Sequence, residues 1–586
     1  MNDELEKLKG DVKLPLGVII SRTLKYVSSE MGGFILSLVL LILNVVLDSI
    51  SPLFTSRITD ELVKADINIS FILQLVLLSF IIMCTNQLFL YAESVILQNC
   101  GQRIIYRLRN EIFEHIENMS LNQFNEMPVG SLVTRVTSYT RSMSDLFTGV
   151  LVRILRDLMT LVGVYVIMFF ISPSLSVSML GIVATVFAIS YVFSKKVREI
   201  FRKERACISD INTFLSENLA GMKLTQVFNQ EETKDEQFIE KNENLRKERF
   251  NVIKAFGVYR PLISFIYNCA IALCFAQGIR LGLSAGEIVA FYMYLSKFFH
   301  PIQNLADQLN ALQKALTASE RIFNLLDVKP DVLDKEDALE IDHFEGKIEF
   351  KNVWFAYKDE NWILKDVSFV IEPKQTCAFV GATGAGKTTI LSLIVRNYEV
   401  QKGEILIDGI NINDIKISSL RRAIGQMLQD VFLFSGTIKD NITLHDDSFT
   451  MDEIQEACRY VNADSFIDRL PKGVEEEIIE KGENLSQGQR QLLSFARTVI
   501  HKPQILILDE ATANIDTETE VLIQKSLEKM KSIGTMLVVA HRLSTIQHAD
   551  QIIVLQNGEI VERGNHQQLL KNRGYYYKLY QLQFEN

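Results

Sequence analysis

The stretch "GATGAGKTTI" (residues 381–390) follows directly on the apolar run "TCAFV" (376–380). A short apolar run ending in glycine predicts a buried strand. The G-x-x-x-x-G-K-[ST] spacing of Gly381, Gly386, Lys387 and Thr388 predicts a phosphate-gripping loop that opens into a helix. Glycines let the backbone from Gly381 through Ala382, Thr383, Gly384 and Ala385 to Gly386 turn its N–H groups toward an anion. Lys387 brings a positive charge to the outer phosphate oxygens, and the Thr388 hydroxyl suits a Mg2+ ion. Thr389 completes this candidate nucleotide-binding set.

Downstream, "ILILDE" (505–510) reads as a buried strand ending in Asp509, a candidate Mg2+ ligand, with Glu510 beside it. A carboxylate at Glu510 is placed to polarise a water for in-line attack on a terminal phosphate. Around these motifs, "KIEFKNVWFAY", "QTCAFVG", "GEILIDG", "TMLVVAH" and "QIIVLQNGEIV" alternate with helical patterns from Gly346 onward. That alternation predicts an α/β domain with a largely parallel sheet.

The first half has a different character. Apolar stretches near 32–55, 70–96, 146–170, 175–194, 256–282 and 286–308 each approach the ~20 residues that cross a bilayer as a helix. Two connectors, 97–145 and 195–255, are long, polar and rich in Lys and Arg, with "KKVREIFRKER" (195–205) the densest run. The positive-inside rule places them in the cytoplasm, and an even number of spans puts both termini there too. Helices rising ~1.5 Å per residue would carry these connectors about 30 Å beyond the bilayer. "NQFNEMPVGSLVTRV" (122–136) and "FLSENLAGMKLTQVF" (214–228) look like their turning points. Asp48, Glu93, Arg153, Arg156, Asp157 and Arg260 interrupt the spans, and charges at membrane depth face a bundle interior or a wet cavity. Asp48 and Glu93 hint at cationic cargo if they face a cavity, a structural polar pairing being the alternative. The aromatics of "FYMYLSKFF" (291–299) are expected to pack between helices.

Length and composition agree with a greasy half joined to a soluble one: 586 residues, 48% hydrophobic, 23% charged. A net charge of −10 argues against nucleic acid as a partner. The seven scattered cysteines form no C-x-x-C, so reduced thiols are expected rather than a disulfide or zinc framework. "MNDELEKLKG" lacks the pattern of a cleaved signal peptide. About 30 residues before the first span leave no room there for a peptidase domain.

"LSQGQRQ" (485–491), "LQDVFLFSGTIKDNI" (428–442), "TANID" (512–516) and "AHRLST" (540–545), read with the phosphate loop, resemble the ATP-binding cassette (ABC) transporters. Six spans followed by one cassette is similar to their exporter half-transporters, most nearly the bacterial multidrug type. The resemblance covers essentially the whole chain. It implies an N-terminal segment with an elbow helix (1–31), a six-helix transmembrane domain (32–326) with cytoplasmic coupling loops, a linker (327–345) and an α/β nucleotide-binding domain (346–586). It implies ATP and Mg2+, a second half-transporter chain, a lipid bilayer and location in the bacterial cytoplasmic membrane. By resemblance Tyr357 stacks on adenine and Gln429 senses Mg2+ and the attacking water. Ser486, Gly488 and Gln489 belong to the signature that meets a partner's nucleotide. Asp516 lies on the dimer seam, and His541 contacts the γ-phosphate and holds Glu510.

The family's signature reads L-S-G-G-Q, and here Gln487 takes the third place. With Lys387, Asp509, Glu510 and His541 all present, this resembles the hydrolytically competent half of an asymmetric heterodimer, a homodimer being the other possibility. The expected function is ATP-driven export of amphipathic small molecules by alternating access. The rivals are an ATP-gated channel or membrane regulator, and an exporter dedicated to one lipid or peptide.

Overall fold

The structure, a computed structural model, describes residues 12–358, 360–428, 431–509, 517–539 and 546–584. It divides into two compact units, one of residues 1–117 and 127–328, the other of residues 118–126 and 329–586.

The first unit is helical. A short amphipathic helix α1 (Leu16–Ser28) precedes α2 (Met31–Leu62), α3 (Ile69–Glu117), a five-residue α4 (Leu121–Asn125) that belongs to the other unit, and α5 (Val129–Ile171). Then come α6 (Pro173–Ala220), α7 (Glu231–Arg280) and α8 (Ala285–Leu326). Pro173 starts α6 at the position where its missing N–H costs nothing, and Ser284 caps α8 with a reciprocal Glu287 bond. Two π-helical turns, Arg135–Tyr139 and Leu146–Val150, interrupt α5.

Five of these helices, α2, α3, α5, α6 and α7, are long and apolar enough to cross a membrane. Their apolar windows are at most 28% buried, and Leu73, Leu77, Phe80 and Leu88 of α3 are all more than 60% exposed. Such a surface needs hydrocarbon around it, and α-helices meet their backbone hydrogen bonds there. The sixth expected span falls on α8, whose Phe291, Tyr294, Leu295 and Phe299 are buried in the bundle rather than turned to lipid. Those aromatics pack as expected, with the Tyr294 hydroxyl donating to Ser49 O at 2.7 Å. The polar connectors extend the membrane helices, so α6 runs 48 residues and α7 runs 50, and the chain turns between Glu117 and Val129 and between Ala220 and Glu231.

The intramembrane charges find partners inside the chain. Glu93 is fully buried and accepts from Arg156 Nη2 on both carboxylate oxygens at 2.7 Å. Asp48 pairs with Lys297 at 2.6 Å, and Asp157 accepts from Gln308. Paired in this way, Asp48 and Glu93 no longer carry the hint of cationic cargo. Cys100, Cys274, Cys377 and Cys458 are buried free thiols.

The second unit holds two large sheets and a two-stranded ribbon that pairs Gly436–Thr437 with Glu477–Ile478. The first is antiparallel, order β2-β1-β4-β5, from β1 (Ile348–Ala356), β2 (Trp362–Ile371), β4 (Lys402–Ile407) and β5 (Ile410–Asn411). The second has order β10-β9-β3-β8-β7-β6: β3 (Thr376–Gly381), β6 (Ile424–Met427), β7 (Ile505–Asp509), β8 (Thr535–Val539), β9 (Gln551–Gln556) and β10 (Glu559–Gly564). All its neighbours are parallel except β9 and β10. β3, β7 and β8 are buried on both faces except at the last residues of β3 and β7, as parallel strands between covering layers must be. Helices α9 (Lys387–Ile394), α10 (Gln487–Ile500) and α11 (Thr517–Met530) flank this sheet in the sequence. The expected largely parallel sheet is therefore accompanied by an antiparallel sheet of four strands.

Candidate functional site

The order β3-β8-β7 gathers separate segments at one edge. Parallel register sets Phe379 beside Val539 and Val539 beside Asp509, so β7 and β8 end level and β3 runs two residues further to Gly381. Ligands in parallel α/β sheets bind outside such carboxyl ends.

The loop leaving β3 is built around two glycines with left-handed backbone, Gly384 (φ +82°) and Gly386 (φ +102°). A side chain at Gly386 would also meet Leu364 Cδ2 at 2.6 Å, so both conformation and space require glycine there. Lys387 opens α9, and its Nζ donates to Gly381 O at 2.8 Å and Ala382 O at 3.1 Å, drawing the loop into a ring. Burial pulls the Lys387 ammonium below its ordinary pKa, and the nearby Asp509 carboxylate pushes it back up. An anionic phosphate in the ring would favour the charged form further. Thr388 is exposed on the first turn of α9. Its hydroxyl and the Asp509 carboxylate are hard oxygen donors of the kind Mg2+ takes.

Tyr357 sits just past β1, 36% exposed, and its hydroxyl shares a 3.1 Å hydrogen bond with Thr389 Oγ1. Phe355 and Tyr398 pack edge-on against its ring at 4.9 and 5.1 Å. The fold thus brings together Tyr357, Gly381, Ala382, Lys387, Thr389 and Asp509.

Ser486, Gly488 and Gln489 form a separate group at the start of α10. Ser486 is the cap: its Oγ accepts from Gln489 N at 3.2 Å, and Gln489 Oε1 accepts from Ser486 N at 2.9 Å. Because this serine oxygen only accepts, its proton stays available to a ligand. The end of a 14-residue helix adds the positive pole of its dipole. Gly488 is buried and Gln487 exposed. Among the described residues no hydrogen bond joins this group to the phosphate loop. Gln429, Glu510, Asp516 and His541 lie outside the described residues.

Sequence reading missed what stands behind Tyr357. Tyr398 bonds to the Asn125 side chain of α4, and Lys358 pairs with Glu126 at 2.7 Å. Gln123 Nε2 donates to Lys329 O at 2.6 Å and Asp331 Oδ1 at 2.9 Å. The "FNEMPVG" segment was visible in the sequence, but its seat beside the aromatic cluster was not. Gln123→Ala removes both bonds, costing about 1–3 kcal/mol of docking. It is expected to lower transport more than ATPase turnover, read by measuring both on one preparation.

Comparison with known proteins completes the picture. Residues 34–302 match the family model "ABC transporter transmembrane region", and residues 364–513 match "ABC transporter". The chain is 39% identical over 505 residues to the "Probable multidrug resistance ABC transporter ATP-binding/permease protein YheH" of Bacillus subtilis (strain 168), covering 84% of this chain and 74% of the relative. This chain belongs to the ABC exporters. An "ATP-dependent lipid A-core flippase" of Syntrophus aciditrophicus (strain SB) is 35% identical over 500 residues, 84% of this exporter chain and 83% of the flippase. The structure of a bacterial Atm1-family ABC exporter with ATP bound superposes with a TM-score of 0.77 at 25% identity, covering 96% of this chain and 98% of that one. The exporter chain is accordingly a membrane protein that binds and hydrolyses ATP and couples hydrolysis to export, as a half-transporter that works in a pair.

Proposed function

We propose that this half-transporter exports amphipathic small molecules across a bacterial cytoplasmic membrane. The observation that carries the reading is the joining, in one chain, of the Lys387 phosphate loop to long helices whose apolar surface is largely exposed. ATP would lie between the phosphate loop of one cassette and the Ser486–Gly488–Gln489 cap of another, with Mg2+ held through Thr388, Asp509 and Gln429. Bound Mg2+ supplies charge neutralisation at the phosphates. Lys387 and the loop amides orient the terminal phosphate, Glu510 takes the proton of the attacking water, and His541 holds Glu510. Binding of ATP favours the closed pair over the separated pair, the differential affinity any ligand-driven shift requires. The relatives described as a multidrug transporter and a lipid flippase support an amphipathic cargo.

Gln487 supports a heterodimer in which this chain's Lys387–Glu510 site is the faster one, because its side chain stands at the first turn of the cap that approaches the other nucleotide. Both termini and the 97–145 and 195–255 connectors would then face the cytoplasm. Uphill uptake of a fluorescent amphiphile into inverted vesicles, dependent on ATP, tests the export reading. ATP-dependent equilibration that stops at equal concentrations would instead indicate a gated channel.

For the nucleotide, Tyr357→Ala is expected to weaken ATP binding about tenfold, since one aromatic–base stack contributes about 1–3 kcal/mol. Tyr357→Phe keeps the stack, loses only the Thr389 bond, and should bind within about threefold of wild type. Equal losses in the two variants would show that the ring does not carry the nucleotide base.

A further inference from the structure

α6 carries Lys195, Arg198, Arg202 and Arg205 at spacings of three, four and three residues, which puts all four on one helical face. That face lines a cavity of about 750 Å³ in the helical unit, closed by the 138–142 part of α5 and the 310–321 part of α8. Lys314 and Arg321 of α8 enter the same space. Six cationic side chains therefore converge, and the sole carboxylate in the lining is Glu199, which pairs outside the group with Lys203 at 3.5 Å. Among the described residues none of the six cations has a carboxylate within ion-pair distance. Arg321 donates to the Tyr139 hydroxyl at 3.0 Å instead.

Elsewhere on this helix charge is compensated, as where Glu204 meets Arg249 of α7 at 3.6 Å. Like charges three and four residues apart oppose one another. A bias of Lys and Arg toward one side of a membrane asks only that they face that side; it does not ask that two helices aim six of them into one cavity. Uncompensated convergence of this kind is stabilised by an anion, and guanidinium groups meet carboxylate and phosphate through paired hydrogen bonds. The cavity begins directly beyond the apolar 175–194 stretch of α6, and Phe201 and Ala318 add apolar surface to its lining. Its volume falls in the range of small-molecule sites, roughly 300–1,000 Å³.

We propose that this cavity binds the head of an anionic amphiphile, a carboxylate or phosphate carried on an apolar chain, and thereby sets the charge class of the cargo. The proposal rests on the export reading and adds the sign of charge to it.

The test uses the purified full-length chain with its partner subunit in phosphatidylcholine nanodiscs, without ATP. The probes are a dansyl-labelled undecanoic acid and its uncharged amide, followed by fluorescence. The carboxylate is expected to bind at least about tenfold more tightly than the amide, with the gap closing as ionic strength rises. Arg198→Gln with Arg202→Gln should remove the gap, and the corresponding Lys pair should keep most of it. Equal affinity for acid and amide, or a gap indifferent both to salt and to the Gln pair, overturns the proposal. The salt series needs no variant, so misfolding of the Gln pair leaves the test intact. ATP-driven uptake by the same preparation reports on export separately: a preparation that pumps without preferring the acid sinks this proposal alone. Repeating the titration in phosphatidylglycerol discs tells which source of anion occupies the cavity. Displacement of the probe supports an anionic lipid head, and undiminished binding supports a free amphiphile.

Discussion

Replacing Glu510 by Gln is expected to leave ATP binding unchanged and to cut hydrolysis by about 10²- to 10⁴-fold, the usual contribution of a positioned general base. The expectation follows from where β7 ends. Asp509 is the last residue of that strand, level with the end of β8, and it acts on the Lys387 ammonium of the phosphate loop. Glu510 follows Asp509 directly in the sequence, and the role proposed for it is that of the general base. Gln keeps the size and can still hydrogen-bond, but its neutral amide cannot take the proton of the attacking water. Binding of a fluorescent ATP analogue and release of phosphate, measured on the assembled pair, check the two halves of the prediction. Wild-type phosphate release from the variant would remove Glu510 from the reaction, and loss of binding would make it a structural residue.

The second large effect is expected far from the chemistry. Arg396 is 1% exposed, the largest fully buried side chain among the described residues. Its Nη2 donates to Leu333 O at 2.9 Å and Glu399 Oε1 at 3.1 Å, and its Nη1 to Ile415 O at 3.1 Å and Asp334 Oδ1 at 3.4 Å. One guanidinium thus ties residues 333–334 to the body of the ATPase unit. Arg396→Ala leaves two carbonyls without their donor and opens a cavity, together costing about 2–4 kcal/mol. For a unit of this size that corresponds to a fall of about 5–15 °C in Tm. Lys at 396 should not rescue it, because a single ammonium cannot reproduce the planar fork. Heating the full-length chain and following loss of nucleotide binding gives the measurement. An unchanged Tm would mean that residues 333–334 are held by other contacts, such as the Leu339–Ile415 bridge.

These two residues mark what a sequence discloses. The phosphate loop was legible because its chemistry demands particular residues: glycine where φ is positive, lysine where the loop closes on itself. The membrane helices were legible because lipid imposes a composition. β2 was not, since "WILKDVSFVI" mixes polar and apolar residues and bends at Asp366, which has φ +52° and stands opposite a register shift in β1. Arg396 looks like any surface arginine after a helix; only tertiary contact buries it. The same holds for Glu93 and Arg156, which lie 63 residues apart and find each other across two helices. In the sequence the carboxylate left two readings open, cationic cargo or a structural polar pairing, and the fold supplies the partner that favours the second. α4 was visible as a turning point, yet nothing in five residues says that it packs with the ATPase unit.

The central claim is that nucleotide held by two cassettes changes which side of the membrane the helical unit opens to. Spin labels at Asp66→Cys, between α2 and α3, and at Ser174→Cys, at the start of α6, test it within one chain. The exposed or half-exposed Cys84, Cys207 and Cys269 are first replaced by Ser. The distance between the labels is measured by electron–electron double resonance in the assembled Glu510→Gln transporter, with and without ATP. The account predicts a longer and narrower distance distribution once ATP is bound. An identical distribution in both conditions, with ATP occupancy verified in the same sample, would contradict it.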